Sequence, residues 1–109
     1  MAYAYKVLAQ SAPSATTNTD IYTVGSGKQA IISTITVANR SATARTYRIA
    51  IRPAGATLAN QHYLAYDVTI AANDTTALTL GITLTATDVV TVYASTTDLS
   101  FGIFGSEIS

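Results

Sequence analysis

A single histidine, six carboxylates and no cysteine limit the chemistry open to this chain of 109 residues. A nucleophilic triad would have to join His62 to a serine and to an acid such as Asp67. Asp67 stands an odd number of positions from His62, so on a regular strand the two side chains project from opposite faces. No Gly-x-Ser-x-Gly elbow occurs. His62 is expected to pack or hydrogen-bond at the start of a strand, not to catalyse.

Other constellations fail for equally specific reasons. Gly25-Ser26-Gly27-Lys28 has the look of a phosphate-binding loop, but Tyr22 stands where the motif needs its first glycine and Gln29 where it needs Ser or Thr. A β-branched run follows instead of a helix, so a hairpin turn is expected there. Asp67, Asp74, Asp88 and Asp98 could supply the two carboxylates of a glycosidase. Three of them sit in or beside predicted turns, where Asp serves the backbone. Scattered aspartates and one histidine make no metal-ligand cluster, and no EF-hand spacing is present. The absence of cysteine excludes disulfides, thiolate metal sites and cysteine nucleophiles. No enzyme activity, cofactor or metal is expected.

Asn39-Arg40-Ser41 and Asn73-Asp74-Thr75 match the glycosylation sequon, and both read as turns. Seven tyrosines without a tryptophan could line a sugar-binding face, although Tyr47 and Tyr66 fall on predicted inward faces. A glycan-binding module stays open as an alternative.

Charged residues form 11% of the chain, against about 25% in an ordinary soluble domain, and the net charge is zero. A surface covered by Thr, Ser, Ala and Asn with no net charge favours association. All six basic residues lie in the first half, and every acid except Asp20 lies in the second. The expected explanation is that the halves interleave and cancel locally. The functional alternative makes Arg40, Arg45, Arg48 and Arg52 the contacts for an assembly partner. A nucleic-acid partner would call for a larger uncompensated basic footprint. Met1 to Leu8 does not read as a secretory signal, and no apolar run approaches the roughly 20 residues of a membrane span.

The elements behind these residues are strands. Thr76 to Leu84 alternates Leu78, Leu80, Ile82 and Leu84 against Ala77, Thr79, Gly81 and Thr83, which predicts one strand on a core. Further strands are expected over Tyr3–Gln10, Ile21–Val24, Gln29–Asn39, Arg45–Arg52, His62–Ile70, Asp88–Ser95 and Leu99–Phe104. Ile31, Ile35 and Val37 are expected inward, as are Tyr47, Ile49 and Ile51, and Leu64, Tyr66, Val68 and Ile70. One helical turn is plausible within residues 54–60. The polar segment Ser11 to Asp20 is expected to cross an edge of the sheet. About eight strands in a single domain over residues 1–109 predict an all-β antiparallel sandwich, jelly-roll-like or of related topology.

Several segments taken in order carry a resemblance. They are Tyr5-Lys6-Val7-Leu8-Ala9-Gln10-Ser11-Ala12-Pro13, Ile21-Tyr22-Thr23-Val24, Tyr47-Arg48-Ile49-Ala50-Ile51-Arg52-Pro53-Ala54-Gly55, His62-Tyr63-Leu64-Ala65-Tyr66-Asp67, and the closing Phe104-Gly105-Ser106-Glu107-Ile108. In this the chain resembles small virion structural proteins of tailed bacteriophages, of the cyanophage and marine phage type. The resemblance implies a component of the phage particle and brings no catalytic or ligand residues with it. It implies a capsid decoration or cement subunit that binds the major capsid protein, with a tail, baseplate or fibre component as the close alternative. Such subunits commonly form homo-oligomers and contact other virion proteins, with no nucleic acid or membrane involved. The Ser11 to Asp20 arm and the Gly102 to Ser109 tail are the segments expected to reach neighbouring subunits.

Overall fold

Period-two alternation of β-branched and polar residues leaves this chain little choice but strands. The computed structural model describes residues 3–109, and nine strands lie among them. They are β1 (Tyr3–Ser11), β2 (Thr19–Thr23), β3 (Gln29–Asn39), β4 (Arg45–Arg52), β5 (Tyr63–Ile70), β6 (Thr75–Leu78), β7 (Ile82–Thr85), β8 (Val89–Ala94) and β9 (Leu99–Ile108). Two short helical turns, Pro53–Gly55 and Asn60–His62, separate β4 from β5.

β1 pairs with β9, β2 with β8, β3 with both β6 and β7, and β4 with β5, all antiparallel. The first half of the chain is thus laid against the second as one long ribbon. Rolling that ribbon adds the β3–β9 and β4–β8 pairs. Two sheets result, ordered β1-β9-β3-β6 with β7 also on β3, and β2-β8-β4-β5. This is a jelly-roll sandwich. Counted as one interrupted strand, β6 and β7 bring the number to the expected eight.

The interruption has a cause. β3 bulges between Ile32 and Thr34 in its pairing with β9. Opposite that bulge β6 ends at Leu78, β7 begins at Ile82, and Gly81 turns the chain with φ of 64°. The expected continuous strand over Thr76 to Leu84 is therefore two, and Leu80 stands exposed at the break. The same bulge reverses the phase of β3. Ala30 and Ile32 face inward before it and Ile35 and Val37 after it, so Ile31, expected inside, is outside.

β5 corrects a second expectation. Its register against β4 slips between Tyr47 and Ile49, and Asp67 takes φ of 51° there. Ala65 and Ile70 supply the buried positions, while Leu64, Tyr66 and Val68 are exposed. The Gly25–Lys28 turn is closed by the Lys28 N–H donating to the Gly25 carbonyl at 3.2 Å. It joins β2 to β3, which belong to different sheets, so it crosses between layers and is not a hairpin.

Of the two segments expected to reach neighbours, the arm is an exposed loop tied to the second sheet at a few points, and the tail is strand. Pro13 is buried, and the Thr16 N–H donates to the Ala94 carbonyl at 2.8 Å, pinning the arm to β8. Gly102 to Ile108 is the second half of β9, held between β1 and β3.

The core between the sheets is built from Ile35, Val37, Ile49, Val90, Val92, Leu99 and Ile103, with Tyr47 edge-on to Phe101 at 6.4 Å between ring centroids. Each fully buried side chain of this size stabilises the fold by about 1.5–3 kcal/mol. Asn39, at the end of β3, is one of three buried polar residues with Thr91 and Ser106. Its Nδ2 donates to the carbonyls of Thr43, Ile70 and Ala71, and its Oδ1 accepts from the Ser41 N–H and hydroxyl. One asparagine thereby closes two loops over one end of the core.

Candidate functional site

His62 and the aspartates considered from the sequence each bond within the fold. The His62 Nδ1 accepts the Ala59 N–H at 3.0 Å, steadying the turn that leads into β5. Asp88 accepts the N–H groups of Ala54 and Thr85. Asp74 accepts from Thr75. Asp98 accepts from Arg45 and from the Thr96 hydroxyl. Asp67 turns to Arg48, and His62 and Asp67 make separate bonds. Among the described residues, no group of three or more His, Cys, Asp or Glu side chains could hold a metal ion.

Of the four arginines singled out from the sequence, Arg45, Arg48 and Arg52 lie on β4 of the second sheet and Arg40 follows β3, and all are bonded within the chain. Arg45 meets Asp98 at 3.2 Å, Arg48 meets Asp67 at 2.6 Å, and Arg52 meets Asp20 at 2.8 Å. Arg40 donates to the Thr97 carbonyl. Arg52 also donates to the Thr91 hydroxyl and to the Gly55 and Ala56 carbonyls, while Arg48 is held between aromatic rings. The Arg48 guanidinium stands 4.2 Å from the ring centroids of both Tyr66 and Tyr93, and it bonds Asp67 through two nitrogens. Those contacts raise the guanidinium pKa, chiefly through the Asp67 hydrogen bond, and lower that of Asp67 for the same reason. Tyr63 closes on Tyr66 edge-on at 4.9 Å. The ring faces a sugar would stack on are thus partly occupied by the chain's own cation.

The first sheet presents a different exterior. Side chains of β1 alternate, with Ala4 and Lys6 toward the second sheet and Tyr3, Tyr5 and Val7 outward. These three are 60%, 85% and 51% exposed. Across the sheet, Tyr5 stands beside Ser106 and Ser106 beside Ile31, which is 39% exposed. The small Ser106 leaves a shallow trough lined by Tyr5, Ile31, Ser33, Phe104 and Gly105. Gly105 is required there, because a Cβ would fall 2.0 Å from the Ile31 carbonyl oxygen. This apolar band is left without a partner inside the fold.

Alternation alone showed that Tyr3, Tyr5 and Val7 share a face but not which face is inside. Lys6 is a misleading signal, since a charge argues for an outward row while here it turns inward to pair with Glu107. The stack of Arg48 between two tyrosines had no signal along the chain, because its members come from β4, β5 and β8.

Comparison of the chain with protein-family models, curated proteins and solved structures finds no match in any of the three.

Proposed function

We propose that this chain is a structural subunit of a tailed-bacteriophage virion, a capsid decoration or cement protein that binds the major capsid protein and stabilises the head. The observation that carries this reading is the apolar exterior of the first sheet on a chain most of whose charges are paired internally. Ion pairs engage Lys6, Arg45, Arg48 and Arg52, and the outward row of β1 is Tyr3, Tyr5 and Val7. A surface poor in free charge and rich in exposed apolar residues favours docking over solvation. The resemblance in sequence points the same way, and the jelly roll is an architecture used for packing subunits into shells.

Each subunit bound at an equivalent lattice point stabilises the assembled shell by mass action, without any catalytic group. The arginines of the second sheet serve such a subunit by holding their own strands together. Partner recognition falls to the first sheet. Quantitative mass spectrometry of purified virions tests the proposal. Decoration requires copies on the order of hundreds per particle. Tens or fewer would assign the chain to the tail, baseplate or a fibre, and its absence from particles would overturn the proposal altogether. Binding to a glycan array by the isolated chain would favour the adhesive alternative.

A further inference from the structure

We infer that β1 is a self-association edge, on which a second copy of this chain adds its own β1 antiparallel, with Tyr5 facing Tyr5 across a two-fold axis. This deepens the assembly reading by naming one of the surfaces the subunit uses and its partner.

β1 closes one side of the first sheet. It pairs with β9, and among the described residues no strand pairs with its other side. An unpaired edge offers a row of backbone N–H and C=O groups to any strand that can lie beside it. Natural edges are blunted by proline, short length, bulges or charge. β1 runs for nine residues without a proline, and its register stays regular from Tyr3 to Val7, slipping only between Val7 and Ala9. Its single charge is Lys6, whose ammonium lies 2.6 Å from its own Glu107.

The order of side chains selects a second copy as the occupant. A two-fold axis perpendicular to the sheet requires one residue to face itself. With Tyr5 on the axis, Tyr3 meets Val7 and Ala4 meets Lys6, so the whole regular segment is used and no charge faces its like. Moving the axis to Lys6 would set two ammonium groups against each other. Moving it to Val7 would carry the bulge into the pairing. The outward rows then join into one apolar face spanning both copies, and zero net charge removes long-range repulsion between them.

Sedimentation equilibrium of the purified chain, from about 1 µM to about 500 µM, tests the inference. The expected result is a monomer–dimer equilibrium. Tyr5→Lys, at a position 85% exposed, should weaken it by about tenfold or more, because it sets like charges face to face. Circular dichroism confirms that the variant is folded. Because the chain has no cysteine, Tyr5→Cys should cross-link to its own copy under mild oxidation. Leu80→Cys, exposed at the break between β6 and β7, should not. A monomer at every concentration, a trimer, or a dimer indifferent to Tyr5→Lys would overturn the inference. Such a result would leave the copy number in virions, and with it the decoration reading, untouched.

Discussion

The Lys6 ammonium lies 2.6 Å from the carboxylate of Glu107, joining the first strand of the chain to the last. The Tyr22 hydroxyl donates to the same carboxylate at 2.7 Å from the second sheet, so one acid ties three strands in two layers. The pair also explains the uneven charge along the chain. A ribbon that lays its first half against its second places basic strands beside acidic ones. Arg45 with Asp98 and Arg48 with Asp67 repeat the pattern, and only Arg52 with Asp20 stays within the first half. The charge segregation is a product of the jelly roll.

Stability should therefore respond to pH through Glu107. Hydrogen bonds from Lys6 and then Tyr22 hold its carboxyl below the ordinary carboxylate range. Such a group contributes stability that is full above its unfolded value of about 4.3 and is lost as the pH falls through the lower folded value. Burial first, then the bond to Glu107, raises the Tyr22 pKa, so its contribution is full below about pH 10 and is lost above it. Urea midpoints measured across pH should show both limbs. Glu107→Gln should flatten the acid limb and Tyr22→Phe the alkaline one.

Arg48 should matter more as a stacked plane than as a charge. Its guanidinium contacts two tyrosine rings and bonds one carboxylate. Surface ion pairs contribute little, whereas a cation held between rings also excludes water. Arg48→Ala should lower the thermal midpoint by several degrees, and Asp67→Asn by clearly less. Equal losses from the two variants would reduce the stack to its ion pair.

The strands, their order of appearance and the sandwich were legible because period two survives in a single sequence. The phase within β3 and β5 was not. A bulge inserts one residue without changing composition, so Ile31 and Ile32 look equivalent until β9 is laid beside them. Tyr66 was misplaced for the same reason, since the slip opposite Arg48 turns it out of the core. Asn39 carried a second ambiguity, because a sequon and a buried loop clasp can share the same three residues.

Asn39→Ala should remove the donor to the carbonyls of Thr43, Ile70 and Ala71 and the acceptor for Ser41 together. Leaving several polar groups near a core without partners costs about 2–4 kcal/mol. Chemical denaturation should register this as a shift in midpoint at constant slope. A loss below about 1 kcal/mol would mean that water replaces the clasp freely.

Two glycines separate crowding from conformation. Gly105→Ala drives a Cβ to within 2.0 Å of the Ile31 carbonyl oxygen, in the middle of the β3–β9 pairing. Backbone cannot yield there without opening the sheet, so the loss should be on the order of 3 kcal/mol or more. Gly81→Ala meets nothing within 4 Å but retains φ of 64°, and should cost about 1 kcal/mol. The ordering of the two midpoints is the check.

Ile31 offers the test that isolates docking from folding. It lies on the exterior of the first sheet, in the row of Tyr5 and Ser106, and is 39% exposed. A lysine there can keep its aliphatic stem on the sheet and its ammonium in water, so Ile31→Lys should lower stability by about 1 kcal/mol or less. Against an apolar partner the same ammonium would be buried without a counter-charge, a cost of several kcal/mol. Under the decoration proposal, copies of the variant per virion should fall by about tenfold or more, while Leu80→Lys, exposed at the break between β6 and β7, should incorporate normally. Full incorporation of Ile31→Lys would move the docking surface off the first sheet, because no interface that covered Tyr5 and the trough could leave this position in solvent.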